Sequence, residues 1–339
     1  MNTRIAIFLA VVLALSGACK GPVSGRKATA RRTPRREHVL LTVDFEPMQT
    51  LTYRFVSSRD ITLDWDPGAS ASEGRVQQQS ERLEMVVVYT PIEVDPYGVS
   101  TIRAVCQSVQ VMRSGQASGR GAYTDAVTTA QGKTFTLKVD PRGKIVDASD
   151  LDRLIRELGV AAFRPDTSRG RIKEPDLIGD FIAPQWFLWD AISSIDTPTA
   201  GVSVGQSWPS TLSVPTPMVM RKARDVTYRL AEVRNTEQGR VAVIDSTYRL
   251  ARSVPSGWPV PYSGRFQLSG TFGFLGAYDI VALKGIGRTL FNVDAGRLDR
   301  EDQKYTLQMK ALLPPLGIRA NPFITIEQTL TTELLDDRE

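Results

Sequence analysis

The sequence is poor in the residues on which most site chemistry depends. Among 339 residues there is one histidine, His38, and two cysteines, Cys19 and Cys106. Histidine-rich metal ligation and a disulfide framework are therefore excluded. Any Ser-His-Asp or Cys-His constellation would have to recruit His38. The densely spaced Asp/Asn loops of carboxylate calcium sites are missing as well. Only the first twenty residues hold a long apolar run, which excludes a polytopic helical membrane protein. What remains, 42% hydrophobic and 23% charged, is an ordinary globular composition. The chain is long enough for two cores of about 150 residues each.

The positive charge is local. The chain carries 42 bases and 37 acids, but residues 1–37 hold eight of the bases and only one acid, Glu37. The other 34 bases and 36 acids leave residues 38–339 at −2. A basic stripe for nucleic acid would have to be built against that balance, so no nucleic-acid partner is expected.

Residues 1–19 read as an export signal. Arg4 supplies the positive end, Ile5 to Leu15 an apolar stretch of 11 residues, and Ser16-Gly17-Ala18 the small residues of a cleavage site. Eleven helical residues rise about 16 Å, roughly half a bilayer core, too short for a permanent span. Leu15-Ser-Gly-Ala-Cys19 resembles the lipobox of bacterial lipoproteins, although leucine stands four places before the cysteine and Ser16 where leucine is commonest. That resemblance implies diacylation of Cys19, which becomes the mature N-terminus and the lipid anchor. Ordinary cleavage after Ala18, leaving a soluble periplasmic or secreted protein, fits the same residues. Residues 20–37 are basic, without apolar periodicity and punctuated by Gly, Pro, Ser and Thr, so they read as a flexible tether. Two roles stay open for it: a spacer, or an arm lying on anionic lipid or wall polymer.

From His38 onward the period is two. Thr50–Val56, Arg82–Tyr89, Thr134–Asp140, Asp225–Val233 and Arg240–Leu250 alternate and are rich in Val, Ile, Thr, Tyr and Phe. Such segments are antiparallel strands with one wet face, and their length suits curved sheets or an open half-barrel. Two segments break the pattern. Ser149–Gly159 has leucines at 151, 154 and 158, acids in its first turn and glycine at its end, which predicts a helix. Pro184–Ile192 predicts a second, shorter helix with proline in its first turn, and residues 164–182 a loop between the two. The fold class is thus β-rich α+β with a central helical insert at 149–193. The expected organisation is an N-terminal β lobe over 38–195 and a C-terminal β lobe over 196–339.

A weak echo supports two lobes. Leu137-Lys-Val-Asp140-Pro-Arg-Gly143 through Asp147 resembles Phe291-Asn-Val-Asp294-Ala-Gly296 through Asp299, each a strand, a tight turn and a returning strand. Together with Gly201-Val-Ser-Val-Gly-Gln-Ser-Trp208, the export signal and the basic linker, these long strands resemble a group of uncharacterised bacterial envelope lipoproteins. In architecture the body is similar to the periplasmic lipoprotein carriers, whose open half-barrel holds acyl chains beneath a helical lid. That similarity implies a fold and no ligand.

Most of the residues that could carry chemistry read as structural. His38 sits at the junction of tether and first strand. Cys106 shares a face with Ile102 and Ala104 and reads as a buried, unreactive thiol. Gly132-Lys133-Thr134 lacks the first glycine of a phosphate loop, having Val127 there, and Gly285-Ile-Gly287 lacks the third glycine of a dinucleotide fingerprint. Asp140, Asp147, Asp294 and Asp299 occupy hairpins, where Asp bonds nearby backbone, rather than the walls of a glycosidase cleft. No catalytic residue, metal ligand or cofactor is assigned. The most suggestive stretch is Trp186-Phe187-Leu188-Trp189. At helical spacing Trp186 and Trp189 share a face that could seal the core or, with Phe187, line a greasy cavity.

Two functions of different class follow. In the first, a membrane-anchored, non-catalytic envelope protein binds an apolar or amphiphilic ligand at Trp186, Phe187 and Trp189. In the second, it has a structural or assembly role and contacts another envelope protein or a cell-wall polymer.

Overall fold

The computed structural model describes residues 38–68, 76–115, 125–163, 171–172, 176–216, 222–262, 267–268, 277–312 and 321–335. The signal, the tether and the anchor candidate Cys19 lie outside the described residues. The strands are β1 (His38–Val39), β2 (Leu51–Asp64), β3 (Val76–Val94), β4 (Ser100–Gly115), β5 (Thr134–Val139) and β6 (Ile145–Asp147). Three helices follow: α1 (Ser149–Ala161), α2 (Ile178–Phe187) and α3 (Asp190–Ser193), with the short β7 (Arg171–Ile172) before α2. Then come β8 (Val202–Ser203), β9 (Ser207–Ser213), β10 (Ala223–Thr236), β11 (Gly239–Leu250), β12 (Gln267–Leu268), β13 (Ala277–Asn292), β14 (Arg297–Leu312) and β15 (Phe323–Leu335).

Eleven of these strands form one antiparallel sheet in the order β6-β5-β4-β3-β2-β15-β14-β13-β11-β10-β9. The chain starts in the middle at β2 and steps outward by hairpins to the edge strand β6. The helical segment then carries it to the opposite edge, β9, from which it meanders back until β15 lies against β2. Thirteen residue pairs, from Phe323↔Asp64 to Leu335↔Thr52, join these two strands. The residues expected as two lobes therefore share a single sheet, because the last strand pairs with the first long one instead of closing a second body.

The strands are long because their alternation is. On β2, Tyr53, Phe55, Ile61 and Leu63 are buried while Arg54, Val56, Ser58 and Thr62 between them face outward. β3 runs for 19 residues and tolerates Pro91 in mid-sheet at a register shift between Pro91 and Glu93. Exposed positions of the paired strands include Lys284 and Arg288 on β13, Lys304 and Lys310 on β14, and Glu327 and Thr329 on β15, with Ile286 exposed between the two on β13. Cross-strand pairs such as Arg54–Glu333 (2.6 Å) and Arg288–Asp245 (2.9 Å) decorate them.

Before β2, Val39, Leu41, Val43 and Phe45 are buried as the alternate residues of a strap. β1 pairs with β8, the Val43 N–H donates to the Pro141 carbonyl (2.9 Å), and the Asp44 N–H donates to that of Gly296 (2.9 Å). The two echoing hairpin turns are thus neighbours at one end of the sheet, where consecutive residues of the strap tie them together.

α1 buries Leu151, Leu154, Ile155 and Leu158 and packs on β5 and on a single 3-10 turn, Ala126–Ala130. It does not stop at Gly159 but runs to Ala161. The glycine serves close approach instead: a side chain there would strike the Pro261 carbonyl oxygen at 1.7 Å.

Candidate functional site

The helical segment begins earlier than its proline suggests. The Ile178 N–H donates to Asp176 Oδ1 (2.9 Å), which starts α2 inside the stretch expected to be a loop. Pro184 consequently sits within the helix, where its missing N–H weakens the ladder. α2 ends three residues later at Phe187, and the chain re-enters helix at Asp190. Trp186 and Trp189 therefore do not lie on one uninterrupted helical face. Trp189 turns into the core, edge-on to Phe45 (5.5 Å between ring centres) and Tyr89 (6.2 Å). Trp186 stays half-buried, as does Phe187, whose ring meets that of Trp258 at 5.2 Å.

Beneath α2 the inner face of the sheet is crossed by a row of polar residues. Reading across the register, directly opposed residues are Tyr248 (β11), Gly285 (β13), Tyr305 (β14), Gln328 (β15), Arg59 (β2), Glu81 (β3) and Arg113 (β4). Opposed residues share a face, so this is one polar belt running across the interior. Arg59 is 1% exposed and donates to Glu81 Oε2 (2.5 Å) and Asp180 Oδ2 (2.9 Å). Asp180 comes from α2, and its Oδ1 also accepts from Ser57 Oγ (2.5 Å) and Gln328 Nε2 (2.9 Å). Arg113 continues the chain of charges to Glu81 (2.9 Å) and Asp125. Burial works against the charge of Glu81, but Arg59 and Arg113 outweigh it and hold the carboxyl below its ordinary range. The belt pins the helix to the sheet at the centre of the fold.

Two further carboxyls fasten the ends of the helical segment. Asp176 accepts from Tyr262, and Asp190 accepts from Tyr228 (2.9 Å) and Ser210 (3.1 Å). Burial pushes Asp176 up to about 7 and Asp190 up to about 6. Glu301, on the inner face of β14, is likewise raised by burial to about 7.

The room for a ligand lies at the seam of the sheet. The sheet curls until residues of its two edge strands, Ile145, Val146 and Asp147 of β6 and Ser210 of β9, face one groove of about 690 Å³. Trp186, Phe187 and Trp189 line the same groove, with Lys144, Asp152 and Asp190 as its charged side chains. Under α2 the space is far smaller, a cavity of about 30 Å³ among residues of α2, β2, β3, β9, β10, β14 and β15. That is room for one or two water-sized groups. The aromatic trio meets at the seam groove, and Phe187 borders the small cavity as well.

The other residues singled out from the sequence sit in structural roles. His38 is exposed on β1 opposite Ser203. Cys106 is fully buried, and burial pushes its thiol up to about 12. Asp140 accepts from the backbone of Arg142 (2.9 Å) and Lys144 (3.0 Å), and Asp147 from that of Ser149 (3.0 Å). Gly285 and Gly287 lie within β13 and make a trough. Side chains there would collide with Tyr305 Cβ and Tyr248 Oη, each at 2.4 Å. The polar belt was not anticipated from the sequence. The available signal is polar residues on the buried phase of strongly alternating strands: Ser57 and Arg59 on β2, and Glu81 on β3.

No protein-family model matches the chain, and no curated protein does. Among solved structures, one of lipovitellin and its lipid–protein interactions is 8% identical, with a TM-score of 0.37 over 86% of this chain and 26% of that one. The chain thus spans about a quarter of lipovitellin's length. OpdQ of Pseudomonas aeruginosa is 7% identical, with a TM-score of 0.22 over 85% of this chain and 99% of its own. OpdO of the same organism is 10% identical, with a TM-score of 0.12 over 88% and 99%. Likeness at these levels carries no argument about function.

Proposed function

We propose that this is an exported, non-catalytic envelope protein, anchored through acylated Cys19, that binds an apolar or amphiphilic ligand in the seam groove. One observation carries the binding half: the groove of about 690 Å³ walled by Trp186, Phe187 and the two sheet edges. Its size is that of small-molecule sites, and its aromatic wall with a few polar groups is their usual chemistry. The anchoring half rests on the lipobox-like Leu15–Cys19.

The test is a titration with the hydrophobic dye N-phenylnaphthylamine, alongside lipid extraction and native mass spectrometry of the purified protein. Trp186 is half-buried and outside the belt, so Trp186→Ala leaves the fold in place. It is expected to weaken dye binding about tenfold, close to 1.4 kcal/mol. Dye binding that is absent, or unchanged in Trp186→Ala, overturns the groove as the site. Cys19→Ser should release the protein from membranes, and retention of that variant refutes the anchor.

A second reading has its own observation. β6 and β9 are both terminal strands of the sheet and border the groove, and Val146 is 53% exposed. A strand from another envelope protein could add there, giving the protein an assembly role. A cross-link from Val146→Cys to a second polypeptide, with no extractable lipid, would favour it.

A further inference from the structure

We propose that Arg224 is the seat of a compact monoanion, a halide or a single carboxylate group, held in the cavity between α2 and the sheet. Arg224 enters the interior from β10 and is 2% exposed. Its guanidinium carbon stands 4.5 Å from the ring centres of both Tyr248 and Tyr305, which are themselves 6.5 Å apart, so the two rings flank the cation on adjoining sides. The glycine trough at Gly285 and Gly287 is what admits those rings. Only one edge of the guanidinium is engaged: Nη2 donates to Gln303 Oε1 (2.5 Å). Nε and Nη1 are buried without a hydrogen-bond partner, and Arg224 makes no ion pair among the described residues.

This sets Arg224 apart from the other arginines of the interior. Arg59 and Arg113 each meet two carboxylates. A buried cation is costly unless a counter-charge and hydrogen-bond acceptors satisfy it, and aromatic faces supply neither to its edge. The acids that share its cavity do not supply them either. Asp180 is committed to Ser57, Arg59 and Gln328. Glu301 accepts from Thr289 at 3.3 Å, and burial raises its pKa to about 7, so it competes as a carboxylate chiefly above neutral pH. Asp190, across the segment on α3, is held by Tyr228 and Ser210. The cavity of about 30 Å³ limits the occupant to a few atoms.

Phe187 lines both this cavity and the seam groove, and on β9 Leu212 faces the first while Ser210 faces the second. The same chemistry can therefore arrive as a free ion or as the head of an amphiphile whose tail lies in the groove. The experiment titrates the full chain with chloride, formate and decanoate at constant ionic strength, with gluconate as the balancing anion. Thermal unfolding and calorimetry are the readouts. Saturable stabilisation by chloride or formate, weakened at least tenfold in Arg224→Met, supports the proposal with a free-ion source. Decanoate that competes with formate and loses affinity in Arg224→Met supports it with an amphiphile source. No saturable response to any of the three, or an equal response in Arg224→Met, overturns it and leaves water alone at the site. If Arg224→Met does not fold, Glu301→Gln carries the test. By removing the competing carboxylate it should tighten formate binding threefold or more at pH 8, and unchanged affinity overturns the proposal. Failure of the groove reads out separately, as dye binding indifferent to Trp186→Ala while formate binding persists.

Discussion

Replacing Asp180 by alanine tests whether the polar belt, and not only apolar contact, holds α2 against the sheet. Three donors converge on this carboxylate: Ser57 Oγ at 2.5 Å, Arg59 Nη1 at 2.9 Å and Gln328 Nε2 at 2.9 Å. Its removal strips Arg59 of one of its two carboxylates while Arg59 Nη2 is already unpartnered. A charge-assisted hydrogen bond is worth about 1.5–3 kcal/mol, and each neutral one about 1 kcal/mol. Gln328 Nε2 keeps a second contact to Ser57 Oγ at 2.6 Å, which trims the loss. The expected cost of Asp180→Ala is therefore about 3–5 kcal/mol, in the range found when one partner leaves a buried ion pair. Asp180→Asn keeps the acceptor for Ser57 and Gln328 but not the charge, so it should cost about half as much. Urea unfolding followed by circular dichroism gives the totals. Hydrogen exchange at Ile178–Phe187 should show the loss concentrated in α2. A cost below about 1 kcal/mol for Asp180→Ala, with exchange in α2 unchanged, would refute the reasoning: the helix would then be held by Phe181, Ile182 and their apolar neighbours alone.

Two further outcomes are expected. Asp176 and Glu301, raised to about 7, and Asp190, raised to about 6, bind protons more tightly folded than unfolded. Their contribution is complete below the ordinary carboxylate range and is lost as pH rises toward 7, whereas that of Glu81 is lost at pH below about 4.5. Thermal stability should thus be greatest near pH 4 and fall toward pH 8; a midpoint that climbs steadily from pH 5 to 8 contradicts this. Gly287→Ala forces a methyl to within 2.4 Å of Tyr248 Oη, 2.5 Å of Ser246 Oγ and 2.9 Å of the Asp302 carbonyl. It should cost about 1–3 kcal/mol. Gly257→Ala, with open space around its new methyl, should cost almost nothing, and equal effects of the two would dismiss the trough.

Alternation with period two is a local property of the chain, and it sufficed to mark the strands that became β2, β3, β5, β10 and β11. Leu151, Leu154 and Leu158 sufficed in the same way for α1. The placing of Cys106 among apolar neighbours was also legible, because a strand's buried phase is written in its own residues. Pairing is not local. That β15 would lie against β2, merging the two expected lobes into one sheet, depends on which edge offers the better register after the helical segment has crossed to β9. Nothing near either strand encodes that. The start of α2 turned on Asp176, whose carboxylate catches the Ile178 N–H, and this outweighed the proline signal at Pro184. The three aromatic candidates were recognisable as residues, but their division between core and groove followed from the break after Phe187. The polar belt and the stacked Arg224 draw on strands separated by up to 271 positions, as between Ser57 and Gln328. Single polar residues on an apolar phase read as exceptions along the chain. Only the sheet register brings them into one row, and only burial beneath α2 turns that row into a set of interactions on which the fold depends.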